Sequence, residues 1–199
     1  IRTQVQLLQE RFGRVYRQQI VPELNSKGVI VCNEHHIPAI IKKHVHSYAS
    51  ENVLNKVELI AITSNTRPTL DNRKLYLVVQ TQTSEGNEEL YLMKVPSVSR
   101  FHYFSDGLKH YVFYTEDLIR EGLEELLPER EIMGCYSISL SRDAGLYLED
   151  EYSGDMLEAI KRSLGKRNTG LPVRLLFDAN MPYSVQQTLL KALTLSEED

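Results

Sequence analysis

Two apolar, aromatic-containing runs, Leu75-Tyr-Leu-Val-Val-Gln-Thr and Glu89-Leu-Tyr-Leu-Met-Lys-Val, flank the polar tetrapeptide Ser84-Glu85-Gly86-Asn87. Runs of strand length joined by so short a polar segment predict a β-hairpin, whose two strands must pair antiparallel. Pro96 closes the second run, because it has no N–H to give to a ladder. Further on, Cys135-Tyr-Ser-Ile-Ser-Leu-Ser-Arg alternates with a period of two, which puts Tyr136, Ile138 and Leu140 on one face of another strand. Tyr111-Val-Phe-Tyr, Val173-Arg-Leu-Leu-Phe and the brief β-branched Val29-Ile30-Val31-Cys32 add three more strand candidates.

Helical spacing occupies the stretches between them. Ile1, Val5, Leu8, Phe12, Val15/Tyr16 and Ile20 recur every three or four residues, one apolar stripe on a helix of about five turns. Pro22 and Gly28 are expected to end that helix. Ile37 to Tyr48 returns to the same spacing through Ile40, Ile41 and Val45. Thr115 is placed to N-cap a helix with Glu116 and Asp117 in its first turn, where carboxylates suit the positive end. Leu118, Ile119, Leu123, Leu126 and Leu127 form its buried face, and Pro128 stops it. A helix carrying Met156, Leu157, Ile160 and Leu164 is expected after Glu149-Asp150-Glu151, and a last one over Val185 to Leu193. The class is therefore α+β: a mainly antiparallel sheet with flanking helices, preceded by a long N-terminal helix.

Composition narrows the functional classes. With 199 residues, 42% apolar and 25% charged, the chain can bury roughly 70% of its unfolded surface without help from a metal or disulfide. No apolar run approaches the ~20 residues of a membrane span. Cys32 and Cys135 are no disulfide framework and read as two thiols in a reducing compartment. The chain opens at Ile1, already inside a helical pattern, and so reads as a piece of something longer. Charge is uneven. Residues 1–50 carry +4 and the remainder −8, a surface that repels long polyanions over most of its area and argues against nucleic acid as a partner.

Candidate chemistry is sparse. Glu34-His35-His36, His44 and His46 suggest a metal, but His44 and His46 lie two apart on a helix and face different ways, so no metal site is expected. Leu164-Gly165-Lys166-Arg167 fails as a phosphate loop, since Ile160 stands where glycine is needed and Arg167 where Ser or Thr is. Lys161, Arg162, Lys166 and Arg167 still form a basic cluster, suited either to an anion or to a helix C-terminus. Glu124-Glu125 and the other acid pairs fall on polar faces, where nothing raises a carboxyl pKa for acid/base work. Arg142-Asp143 ends the alternating strand. It reads either as a contact to another domain, a subunit or an anion path, or as an intrachain ion pair.

Three segments in order give a resemblance. Thr115-Glu-Asp-Leu-Ile-Arg-Glu-Gly-Leu-Glu-Glu-Leu-Leu-Pro, Gly134-Cys-Tyr-Ser-Ile-Ser-Leu-Ser-Arg-Asp-Ala and Val173-Arg-Leu-Leu-Phe-Asp-Ala-Asn-Met-Pro resemble the middle, or head, domain of the large polyphosphate kinases that form a phosphohistidine. Residues 1–34 resemble the last helix and exit segment of that family's N-terminal domain, and residues 35–199 its head domain. The departures are Phe101-His-Tyr-Phe-Ser-Asp-Gly, where an aromatic-proline stretch is usual, Ser141 in place of Thr, and Gly145 after Arg-Asp-Ala.

The resemblance implies a parent enzyme that reversibly transfers the terminal phosphate of ATP to polyphosphate with magnesium. It places the phosphohistidine and most phosphate-binding arginines downstream of this segment, and the base-binding part upstream. It implies that this segment binds no cofactor itself, contributes to a homodimer, and helps shape a catalytic tunnel. It also implies a cytoplasmic protein, at most peripherally attached to a membrane. On that reading the segment has no catalytic residue. Arg142, Asp143, Lys161, Arg162, Lys166 and Arg167 remain as interface or anion contacts.

Overall fold

The computed structural model describes residues 2–33, 36–142 and 172–195. From the N-terminus run α1 (Arg2–Val15), a π-helical turn (Tyr16–Ile20) and α2 (Val21–Ser26), then β1 (Val29–Val31) and α3 (Ala39–Asn52). A 3-10 turn (Leu54–Lys56) leads to β2 (Glu58–Ile62), β3 (Leu75–Gln82) and β4 (Glu88–Lys94). β5 (Phe101–Ser105), β6 (His110–Tyr114), α4 (Thr115–Glu121) and α5 (Leu123–Leu126) follow. The described part ends with β7 (Glu131–Arg142), β8 (Pro172–Phe177) and α6 (Tyr183–Leu193). This is the α+β mixture that the periodicities imply. The helix expected after Glu151, with Lys161, Arg162, Lys166 and Arg167, lies outside the described residues, as do Glu34, His35 and Asp143.

Contacts divide the chain into two units, Ile1–Lys56 with Ser97–Leu126, and Val57–Pro96 with Leu127–Asp199. In the first unit, Pro22 does not end the N-terminal helix. The Val21 N–H bonds back to the Tyr16 carbonyl, five residues earlier, and the helix resumes as α2 with Pro22 in its first turn. The wider turn displaces the carbonyl that the proline ring would otherwise strike, which is why the proline is tolerated. Gly28, at φ +80°, is the true end, its N–H bonded to the Asn25 carbonyl.

The first unit's sheet has the order β1-β6-β5. β5 and β6 pair antiparallel, but β1 lies parallel to β6, Ile30 opposite Tyr111, so one pair departs from the antiparallel pattern. The β5–β6 turn is fixed by Asp106. Its carboxylate accepts the N–H groups of Leu108 and Lys109 at 2.9 and 2.8 Å and the Tyr111 hydroxyl at 2.7 Å, and these bonds hold its pKa down at about 2. Behind the sheet, Ile41, Val45 and Ala49 of α3 are buried, as are Leu118 and Ile119 of α4. Tyr48 and Phe113 each meet the Phe104 ring edge-on, at 5.3 and 5.5 Å.

The second unit is a five-stranded antiparallel sheet of order β2-β4-β3-β7-β8. The hairpin of β3 and β4 forms where the sequence places it, with Gly86 at φ +85° in the turn. Tyr76 and Val78, Leu92, Ile138 and Leu140, and Leu175 fill one face and pack with Val185 and Leu189 of α6. Near its start β7 bulges, so that Gln80 faces Gly134 and Thr81 faces Ile132. The Tyr136 phenol lies against Gly134, filling the space a side chain would take.

Two glycines separate a tight site from a loose one. At the α4–α5 junction, an added Cβ on Gly122 would collide with the side chain of Leu54, which is buried. Gly122→Ala should therefore cost roughly 1–3 kcal/mol, as overpacking does. In α1, a Cβ on Gly13 meets only the mobile end of Arg17, and Gly13→Ala should stabilise the helix by about 0.5–1 kcal/mol. Urea titrations of the two variants check both signs.

Candidate functional site

The densest polar cluster of the first unit is built where β6 turns into α4. Thr115 does not cap the helix, contrary to the sequence expectation. Tyr114 occupies the cap position in extended conformation, with no side-chain cap bond, and Thr115 is already helical. The Thr115 hydroxyl is used elsewhere, donating to the Ser99 carbonyl at 2.6 Å. Its single proton thus committed, the oxygen accepts from His102 Nε2 at 3.0 Å. Neutral His102 must then carry its proton on Nε2, and Nδ1 accepts the Tyr48 hydroxyl at 3.1 Å. His102 and Thr115 are almost fully buried, and burial holds the histidine pKa below its ordinary value.

The next two residues are fastened in turn. Glu116 receives Arg100 through two bonds of 2.7 and 2.6 Å, and the same guanidinium lies 5.2 Å from the Tyr114 ring centre. Asp117, buried, accepts from Arg120 at 3.0 Å. The Tyr114 hydroxyl lies 2.8 Å from that of Tyr16. Burial first, and then this bond and the charge of Asp117, push Tyr16 up to about 12. Burial and Asp117 likewise raise the Cys32 thiol to about 11, so it is an inert core thiol rather than a nucleophile. Such a cluster locks β5, β6, α3 and α4 together; it presents no activated nucleophile.

In the second unit, Arg142 closes β7. Its N–H donates to Asn72 Oδ1 at 3.0 Å and its Nε to the Leu70 carbonyl at 3.2 Å, while Arg73 N–H donates to the Leu140 carbonyl at 2.7 Å. The strand end is thus stitched to the loop before β3; Asp143, its expected neighbour in an ion pair, is outside the described residues. Asp178 makes a similar tie after β8. Its carboxylate accepts Ser137 N–H at 2.6 Å, and its own N–H donates to the Ser137 carbonyl at 3.1 Å. Arg130 reaches Glu89 at 2.7 Å, which lowers the Glu89 pKa.

The described histidines do not gather. His36 pairs with Asn33, the His44 ring meets Phe104, His46 lies 3.8 Å from Glu125, and His110 bonds to Tyr103. Among the described residues no three His, Cys, Asp or Glu side chains are placed to hold a metal ion, and no helix is long and apolar enough to cross a membrane. Sequence reasoning missed His102, Tyr48 and Arg100. The signal was present: His102 and Phe104 are two apart in a strand and share its inward face.

The fold has a solved counterpart. The crystal structure of polyphosphate kinase from Porphyromonas gingivalis superposes with a TM-score of 0.75 at 23% identity, covering 95% of this chain and 27% of that one. In sequence, the chain is 27% identical to the polyphosphate kinase of Mycobacterium marinum over 98% of its own length and 28% of that protein. It is 26% identical to the Mycobacterium leprae polyphosphate kinase, over 98% of this chain and 29% of that one. The chain thus spans little more than a quarter of the curated relatives it matches. The family description "Polyphosphate kinase middle domain" matches residues 40–199, and the chain belongs to that family. An unrelated interaction domain sharing those three segments by chance, the other way to read the resemblance, is thereby set aside.

The buried histidine gives this site a pH signature. A histidine whose folded pKa lies below its unfolded value of about 6.5 binds more protons when unfolded, so stability falls as pH drops below about 6.5. Urea midpoints should decline between pH 7 and pH 5, and less steeply in His102→Gln. Thr115→Val, which strands His102 Nε2–H and the Ser99 carbonyl, should cost roughly 1–3 kcal/mol at pH 7.

Proposed function

We propose that this chain is the head-domain segment of a polyphosphate kinase, a scaffold that positions the reactive parts of a larger enzyme rather than a catalyst itself. The parent would transfer the terminal phosphate of ATP to polyphosphate, with magnesium and a phosphohistidine borne on another segment, as a cytoplasmic homodimer. The observation that carries this reading is how the family-like motifs are used. Thr115, Glu116 and Asp117, then Arg142, then Asp178 all bond to groups of their own unit, and among the described residues no buried side-chain nitrogen or oxygen lacks a partner. Phosphoryl transfer needs clustered cations free to meet spread negative charge. A segment with −8 over residues 51–199, in which Arg100, Arg120, Arg130 and Arg142 bond to groups of their own unit, is suited to holding such a site and not to being one.

Residues 1–34 fit the end of a preceding N-terminal domain, and residues 35–199 the head domain. The stripe on the N-terminal helices supports that division: Leu7, Leu8 and Phe12 are 60–70% exposed, an apolar face awaiting the rest of that domain. Arg142 and Asp143, with Lys161, Arg162, Lys166 and Arg167, remain the proposed contacts to neighbouring segments or to the polyphosphate path.

The purified 199-residue chain, given ATP, magnesium and polyphosphate, should neither lengthen the polymer nor acquire a phosphorylated imidazole on any of its histidines. Turnover, or phosphohistidine detected by mass spectrometry, would place catalysis in this segment and overturn the reading. Salt-sensitive polyphosphate binding lost in Lys166→Glu would make it a binding module instead.

A further inference from the structure

The second unit contains a cleft that the scaffold reading leaves unused. It encloses about 350 Å³ between the end of β2, the start of β4 and the first turns of α6. Ile62, Leu90 and Val185 give it an aliphatic floor, and the hydroxyls of Thr63, Ser184 and Thr188 line its sides. Its volume is at the small end of the range for ligand sites, and an apolar floor with a few polar groups is their usual make-up.

The charge in the cleft is one-sided. Glu88 and Leu90 are two apart in β4 and share the face that carries Leu92 and α6; Glu89, which also lines the cleft, has its carboxylate occupied by Arg130 and the Tyr91 hydroxyl. Among the described residues Glu88 has only Gln80 Nε2, at a long 3.4 Å. No lysine, arginine or histidine is among the described lining residues. A carboxylate without a counter-cation among the described residues, beside hydroxyl oxygens and above an aliphatic floor, disfavours phosphates and complements a compact organic cation. An ammonium group has three donors and no acceptor. The Thr188 hydroxyl spends its proton on the Ser184 carbonyl at 3.0 Å and keeps its lone pairs for such a donor.

We infer that this cleft binds a small alkylammonium compound, a primary amine on a short aliphatic chain, with the ammonium on Glu88 and the chain over Ile62, Leu90 and Val185. The test is a titration of the whole 199-residue chain with n-butylammonium chloride, followed by amide NMR shifts. Saturable shifts should centre on Thr63, Leu90, Ser184 and Thr188. Binding should weaken about fivefold in Glu88→Gln, the value of a partly exposed ion pair. It should vanish in Thr188→Arg, which puts a guanidinium into the cleft at an exposed helix position, and stay unchanged in Glu85→Gln, on the hairpin turn. Absence of saturable shifts overturns the inference. So does equal weakening by Glu85→Gln, which would mean a diffuse acidic surface, or equal binding of 1-butanol, which would mean an apolar slot indifferent to charge.

Discussion

Strand β3 is hydrogen-bonded on both edges and buried on both faces, and the second unit is organised around that fact. Tyr76 and Val78 point into the cluster under α6, while Leu77 and Val79 on the opposite face are equally inaccessible to water. A strand apolar on both faces has no polar side to tell one register from the next, so a one-residue slip is not forbidden by burial alone. The ends of the hairpin supply what the middle lacks. At one end Thr83 N–H donates to the Asn87 carbonyl around Gly86, whose φ of +85° few other residues would adopt. At the other, Lys94 pairs with Asp71 at 2.7 Å, and the Tyr76 hydroxyl accepts the Asp71 N–H at 3.0 Å. With β3 and β4 in register, β7 is fixed by its bulge at Met133, and β8 by the paired bonds between Ser137 and Asp178.

The first unit solves a different problem. Its sheet has three short strands, too few to bury a large apolar layer, and it relies on α3 and α4 to cover one face. A buried relay of Tyr48, His102, Thr115 and the Ser99 carbonyl crosses from α3 through β5 to α4, every donor matched to an acceptor. Buried polar chains of this kind are costly when half satisfied and specifying when complete. Here completeness fixes the histidine tautomer, and the tautomer requires the Thr115 hydroxyl to point away from the helix N-terminus. The same bonds that deprive α4 of its expected cap therefore fix its position on the sheet.

What could be read in the residues, and what could not, divides along local and non-local lines. The β3–β4 hairpin, the alternation in β7 with Ile138 and Leu140 inward, and the helix over Leu118 and Ile119 are local patterns, and the structure has all of them. Pro22 misled because its cost depends on the hydrogen-bond register of the preceding turn, which a π-helical turn changes. Thr115 misled because a helix-start residue is a cap only if its hydroxyl is not claimed from elsewhere; Ser99, sixteen residues back, claims it. The parallel placing of β1 beside β6 joins segments some eighty residues apart, and no periodicity encodes it. Arg142 stood out in the sequence as an unexplained charge at a strand end. Its bonds to Leu70 and Asn72 come from a loop seventy residues earlier.

These ties also constrain how polyanions can be handled. Arg100 with Glu116, Arg120 with Asp117 and Arg130 with Glu89 each match a cation to a carboxylate at 3.0 Å or less. Turning any of these arginines outward to meet a phosphate would take the counter-cation from the carboxylate it leaves. For Asp117, which is buried, losing that cation carries a cost that one new surface contact does not offset. These three arginines are therefore held in place by the fold rather than poised for an external anion. Within each unit, pairing of that kind suits the proposed role of scaffold to a phosphoryl-transfer site, since small displacements of reacting groups cost large factors in rate.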